Sequence, residues 1–144
     1  MSNKIFVDTN IFIEVYIREG PKSDKCLKLL EKTTNLITSW TIIAEVEWIL
    51  RSFYKYTKSD IISVLQSILS FSGLKINNRP QLLLALSYFQ QHNIDWVDCL
   101  NIGFCQKESI NKIYSYDKHF NKLKPLTRLE PWLSTINYYT RSNE

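Results

Sequence analysis

The sequence contains little that would divide the chain, cross-link it or carry it into a membrane. Its 144 residues include only three glycines and four prolines, and these form no linker between two segments. No apolar run approaches the roughly 18 residues of a membrane span, and the amino-terminal stretch does not have the pattern of a cleavable signal. We therefore expect one soluble, unexported domain over residues 1–144.

Cysteine is scarce as well. Cys26, Cys99 and Cys105 are odd in number, have no CxxC spacing and lie among apolar neighbours. Such residues fit reduced core thiols better than disulfides or a zinc site. Because free thiols are typical of reducing compartments, we expect a cytoplasmic protein.

The overall composition is that of an ordinary globular domain, with 44% hydrophobic and 22% charged residues. The formal net charge of +4 and the pI near 8.9 permit nucleic-acid binding but do not require it. Composition therefore leaves the function open, and the candidate site has to come from particular residues.

Apolar periodicity predicts short strands separated by helices. The predicted strands are KIFV (4–7), NLITS (35–39), GLKI (73–76), KIYSY (112–116) and a weaker LTRLE (126–130). The predicted helices are 11–18, 23–33, 40–55, 59–72 with Ser59 as N-cap, 80–92 and 95–108. Parallel neighbours need long crossover connections. The alternation therefore predicts an α/β fold with three layers, in which helices cover both faces of a central parallel sheet of four to five short strands.

Two acids follow predicted strands directly. Asp8 comes after KIFV and Asp117 comes after KIYSY. In parallel sheets, functional groups gather at the carboxyl ends of the strands, so adjacent strands would bring both carboxylates into one crevice. Close like charges repel, and such a pair favours a bound cation. Each acid also has a simpler interpretation, Asp8 as a helix N-cap and Asp117 as a turn residue.

Further acids lie inside predicted helices. Glu45 and Glu47 fall on opposite flanks of the apolar arc of TIIAEVEWIL (41–50), so periodicity does not decide which of them faces a site. Asp98 projects on the same side of its helix as apolar residues, where an acidic residue without a functional role is rare. Asp95 opens the same helix and is interpreted as its N-cap.

The order of these motifs resembles that of the PIN-domain ribonucleases, and most nearly the VapC-like toxins of prokaryotic toxin and antitoxin pairs. FVDTNIFI is similar to the family's hhhDTNhhh pattern, DWVDCLNIGF to DFxDAhhA and IYSYDKHFNKL to hhTxDxxF, where h is apolar. The resemblance covers residues 4 to about 125. It implies a PIN-like fold and a metal-dependent endoribonuclease that is held by a cognate antitoxin and commonly forms a homodimer.

By position, the resemblance assigns catalytic and metal-binding roles to four acids and supporting roles to three polar residues. The four acids are Asp8, Glu45, Asp98 and Asp117, and the supporting residues are Thr9, Asn10 and Ser115. There are three departures from the family pattern. Ser115 replaces a threonine, Cys99 replaces an alanine, and Asn111 stands where a glycine commonly turns the chain. None of them removes an oxygen ligand.

Carboxylates without histidine or thiolate partners suit Mg²⁺ or Mn²⁺. With either ion, the implied reaction is hydrolysis of an RNA phosphodiester. Basic side chains just after Asp117 are candidates for contacts to the RNA phosphates. They are Lys118, His119, Lys122, Lys124 and Arg128. Four tyrosines and all four tryptophans are interpreted as core or interface residues, and the tyrosines are Tyr54, Tyr56, Tyr114 and Tyr116.

Two other functions remain open at this point. A PIN fold without activity could serve as an RNA-binding or assembly module, although none of the four acids is missing. A haloacid dehalogenase-like phosphohydrolase also has an aspartate after its first strand. That class requires a second aspartate two residues later, where this chain has Asn10.

Overall fold

Five short strands alternate with helices in the computed structural model, which describes residues 2–124 and 126–131. The strands are β1 (Ile5–Phe6), β2 (Leu36–Thr38), β3 (Leu74–Ile76), β4 (Lys112–Tyr114) and β5 (Thr127–Leu129). The helices are α1 (Thr9–Ile17), α2 (Pro21–Lys32), α3 (Trp40–Ser52), α4 (Lys58–Ser70), α5 (Arg79–Gln91) and α6 (Trp96–Lys107), and a 3-10 helix spans Lys118–Lys122. The α/β class is confirmed.

All strand pairs in the described part of the chain are parallel, as predicted, but they form two sheets. One sheet has the order β1-β2-β3, with Ile5 opposite Leu36 and Leu36 opposite Leu74. The other sheet consists of β4 and β5, with Ile113 opposite Arg128. The strands that precede Asp8 and Asp117 are therefore not hydrogen-bonded neighbours. Strand β1 has two residues and β4 has three, so each offers few backbone groups for pairing.

Apolar faces of the helices form the core around the three-stranded sheet. Phe12, Val46, Ile68 and Leu82 are fully buried. Helix α1 packs against α2 and α3, α3 also contacts α4 and α6, and α5 packs along α6. This arrangement holds α1, α3 and α6, which carry most of the candidate site residues, in one packed group.

One local prediction is wrong, and two others are refined. The N-cap of α4 is Thr57, not Ser59, because Thr57 and Asp60 form a reciprocal capping box. Asp95 occupies the N-cap position of α6, but its side chain makes no capping hydrogen bond. Before β4, the left-handed residue is Ser109 with φ 56°, and Asn111 does not have positive φ.

The three cysteines are free thiols, as expected. Cys26 and Cys99 are buried, whereas Cys105 is half-buried. Burial raises the pKa of the Cys99 thiol to about 12, which keeps it neutral and unreactive near neutral pH. Over the described residues, no helix has the length and hydropathy that crossing a bilayer requires.

Candidate active site

Asp8 lies at the carboxyl end of β1, where the chain turns into α1. The Val7 N–H donates to the Ile37 carbonyl at 2.8 Å, and the buried Thr38 hydroxyl donates to the Val7 carbonyl at 3.0 Å. The Asp8 carboxylate accepts the Thr9 N–H at 2.8 Å and caps the helix. Capping and a site role are compatible here, because the exposed carboxylate also lines an open cleft.

Glu45 reaches this cleft from α3. The Thr9 hydroxyl donates to Glu45 Oε2 at 2.5 Å, and Thr9 itself is buried. Asn10 lines the same cleft. We call Asp8 and Glu45 the first acid pair: one neutral residue, Thr9, donates to both carboxylates, through its backbone N–H and through its hydroxyl.

Glu47 occupies a different environment on the other flank of α3. Its side chain is only 2% exposed and accepts a hydrogen bond from Arg51 Nε at 2.7 Å. That hydrogen bond is the main cause that raises the pKa of Arg51, and the negative charges of Glu47 and Asp95 add to the rise. Of the two glutamates, Glu45 therefore shares a cleft with Asp8, and Glu47 forms a structural ion pair.

Asp98 and Asp117 form what we call the second acid pair. Burial raises the pKa of Asp98 above its ordinary value, and the charges of Asp117 and Asp95 raise it further. Asp117 shows the opposite shift: the His119 backbone N–H, the positive charge of His119 and that of Arg128 lower its pKa. Asp117 thus lies close enough to Asp98 to influence the ionisation of Asp98.

The position of Asp117 is set by short-range hydrogen bonds. The Ser115 hydroxyl accepts the Asp117 N–H at 3.0 Å, and Asp117 Oδ1 accepts the His119 N–H at 2.9 Å. His119 Nδ1 lies 3.0 Å from the same oxygen. A serine in place of the family threonine therefore still supplies the hydroxyl that orients this loop.

The basic residues after Asp117 divide into two groups. Lys118, Lys122 and Lys124 are exposed. Arg128, in contrast, uses its donors within the protein: Nε donates to Asn121, and Nη1 donates to the Ser115 carbonyl and to Glu130. Its side chain is only 12% exposed. Arg128 therefore has a structural role, and its contact with RNA stays a prediction.

The two acid pairs do not merge into one cluster in the structure. Within residues 2–124 and 126–131, no three His, Cys, Asp or Glu side chains are gathered as a metal site would need. The donors nevertheless fit Mg²⁺ or Mn²⁺ chemically, since both ions prefer carboxylate oxygens. Burial is the main cause of the raised pKa of Asp98, and the charge of Asp117 adds the repulsion expected where two carboxylates need a cation between them.

Three aromatic residues of the cleft were missed as site residues by sequence reasoning. Trp48, Phe53 and Tyr54 line it together with Ile13 and Ile49. The sequence did indicate one of them. Trp48 follows Glu45 by three residues and so lies on the same face of α3. Another tryptophan, Trp132, lies outside the described residues.

The chain has matches among protein families, curated proteins and solved structures. The model of the PIN domain matches residues 5–125. A VapC ribonuclease from Aquifex aeolicus (strain VF5) is 23% identical over 140 residues, which cover 94% of this chain and 98% of the relative.

Among solved structures, VapC20 from Mycobacterium tuberculosis, described as a Sarcin-Ricin loop cleaving toxin, matches 89% of this chain and 100% of its own. The identity is 16% and the TM-score is 0.39, a likeness too distant for a conclusion about this chain.

Proposed function

The chain belongs to the PIN-domain family, and from this premise we propose that it is a metal-dependent endoribonuclease and the toxin of a toxin and antitoxin pair. The family match spans all four acids. The name of the Aquifex aeolicus relative, VapC ribonuclease, supports the same activity. Family membership removes the support for a haloacid dehalogenase-like phosphohydrolase, whose second aspartate this chain does not have.

The observation that carries the proposal is the second acid pair. Asp98 is half-buried, and its pKa is raised by burial and by the charge of Asp117. A half-buried acid that ionises less readily because another acid lies close to it is typical of a functional site rather than of a stabilising contact. Both acids lie in the segment that matches the PIN model.

We propose that Asp98 and Asp117 hold Mg²⁺ or Mn²⁺, and that Asp8 and Glu45 supply the other carboxylates of the centre. When bound, such an ion activates water and stabilises the oxygen that leaves in phosphodiester hydrolysis. The products expected from water attack are a 5′-phosphate and a 3′-hydroxyl.

The remaining side chains orient the acids and the substrate. The Thr9 hydroxyl holds Glu45, and the Ser115 hydroxyl accepts the N–H of Asp117. The exposed lysines after Asp117 would neutralise RNA phosphates, which the acids repel. His119 contributes a proton or a positive charge beside Asp117 when it is protonated.

The partners follow from the same proposal. The substrate is RNA, and the inhibitor is a cognate antitoxin protein that covers the acidic residues. Homodimer formation and a cytoplasmic location stay predictions.

Cleavage of RNA by the purified protein tests the proposal directly. We expect cleavage with Mg²⁺ or Mn²⁺, none in excess EDTA and none by the Asp8→Asn variant, and we expect either ion to raise the melting temperature. Mapping of the new RNA ends checks the products. Undiminished cleavage in EDTA would contradict the metal dependence. RNA binding without cleavage in either ion would indicate an inactive RNA-binding module instead.

A further inference from the structure

The cleft that contains the first acid pair is lined by two chemically different groups of side chains, and along α3 the acidic Glu45 precedes Trp48 and the C-cap residue Phe53. Asp8 and Glu45 lie at what we call the acidic end. What we call the aromatic end is formed by Trp48, Phe53 and Tyr54, and the cleft has a volume of about 380 Å³. A site for the sugar-phosphate backbone alone would need only the first of these ends.

Two rings of the aromatic end are largely exposed. Trp48 is 57% exposed and Phe53 is 75% exposed. The ring of Phe53 is held edge-on against Tyr54, with centroids 5.2 Å apart and an interplanar angle of 68°. Aromatic side chains normally contribute large apolar areas to a core or an interface, so this exposure indicates a surface that a ligand covers.

The position of the rings favours a nucleic-acid base over an apolar protein segment. The same cleft holds carboxylates, beside which an apolar helix would leave charges covered and unpaired. An unpaired base is flat, uncharged and attached to the phosphate that the acidic end must process. Proteins hold such bases by stacking them on aromatic side chains.

We propose that Trp48 and Phe53 form a stacking platform for an unpaired base next to the phosphodiester that is cut. This inference rests on the proposed function, because it takes the acidic end as the place of the scissile phosphate. Phe104, which is 51% exposed on α6 and does not line the cleft, provides a matched control.

Binding measurements separate this proposal from the proposed activity. In an Asp98→Asn background with Mg²⁺, anisotropy is measured with a labelled single-stranded RNA and with an abasic strand of the same length. We expect Trp48→Ala and Phe53→Ala each to weaken binding of the base-containing strand by about 10-fold, a typical loss for one stacked base. These two variants should bind the abasic strand as well as the parent protein does. The Phe104→Ala variant should bind both strands unchanged.

Further variants and measurements distinguish a loss of base stacking from a loss of folding or of a protein interface. Trp48→Phe should restore most of the binding because it returns a ring, and thermal melts check that each alanine variant folds. Equal weakening for both strands, or none for either, would overturn the proposal. So would a change of oligomeric state with RNA binding intact, which would identify a protein interface. RNA cleavage by the unmodified chain tests the activity separately.

Discussion

Glu45 of the first acid pair accepts a hydrogen bond from the neutral Thr9 hydroxyl, whereas Asp98 of the second acid pair is influenced by the charge of Asp117. The first pair lies in a cleft with aromatic walls. The second is close to His119, and exposed lysines follow it in the chain. The difference fits the two proposals, in which the aromatic end stacks a base next to the scissile phosphate and the second acid pair holds the cation.

The same comparison shows how one acid can have two roles. Asp8 caps α1 and also faces the cleft, because the cap bond uses one carboxylate oxygen. Asp98 makes no such cap, and its burial makes ionisation less favourable. Loss of its charge should therefore affect activity and stability in opposite directions, and that contrast can be measured.

The largest expected effect is that of Asp98→Asn on cleavage. A lost ligand should lower the rate by more than the roughly 10–100-fold that is typical for groups that only orient a ligand. Asp8→Asn should be equally inactive, and its amide oxygen can still accept the cap bond. Cleavage assays in Mn²⁺ measure both variants. An active Asp98→Asn enzyme would remove the second acid pair from the centre.

The stability of Asp98→Asn should change with pH in a direction that the raised pKa decides. Because the folded pKa lies above the ordinary value, the ionised form opposes folding, and unmodified protein loses stability as pH rises through the folded pKa. The variant should not show this loss. In EDTA at neutral pH we expect its melting temperature to equal or exceed that of the unmodified chain. A clearly lower melting temperature would contradict this electrostatic interpretation.

The two glutamates of α3 provide the next contrast. Glu45→Gln should abolish most cleavage with little change in stability, since its side chain lies at the cleft. Glu47→Ala should keep the activity of the folded protein but destabilise it by about 1–2 kcal/mol. That value is lower than for a fully buried pair, because Arg51 is 53% exposed and can be solvated. Paired melts and cleavage assays would show whether the roles are reversed.

A smaller effect is expected from the lysines after Asp117. Simultaneous replacement of Lys118, Lys122 and Lys124 by alanine should weaken RNA binding and reduce its salt dependence by up to about 0.7 logarithmic units per lost phosphate contact. Arg128→Ala should instead lower the melting temperature, because its guanidinium joins Ser115, Asn121 and Glu130. Titrations at several salt concentrations distinguish the two. An unchanged slope in the triple variant would place the RNA phosphates elsewhere.

The smallest effect concerns the helix caps. Asp95→Ala should change stability by less than about 0.5 kcal/mol, since its side chain makes no cap bond. Thr57→Ala should cost about 1 kcal/mol, because it removes one half of the capping box of α4. Melting curves of the two variants measure this directly. A larger loss in Asp95→Ala would restore the cap that the sequence suggested.

Much of this fold could be predicted because its elements have strong local signals. The predicted strand 73–76 became β3 (Leu74–Ile76), and the predicted helix 80–92 became α5 (Arg79–Gln91), with proline in its first turn. The N-cap of α4 was wrongly assigned to Ser59, because Thr57 has an equally suitable hydroxyl. The reciprocal bond with Asp60 decides that choice, and it depends on the helix register.

The sequence by itself determined which residues are available for chemistry. The order of Asp8, Glu45, Asp98 and Asp117 along alternating strands and helices identifies the family, because these motifs are local patterns of residue type and spacing. The same applies to the free cysteines. Composition and periodicity are properties of the chain, and folding leaves them unchanged.

Only the tertiary structure decided how these residues are grouped. Periodicity placed Glu45 and Glu47 on opposite flanks of one arc, and the packing of α3 against α1 and α6 assigned one to a cleft and the other to an ion pair. Likewise, the separation of β4 from β1 depends on contacts between residues more than 100 positions apart. Burial and charge proximity arise from such distant contacts, and no local pattern in the sequence specifies them.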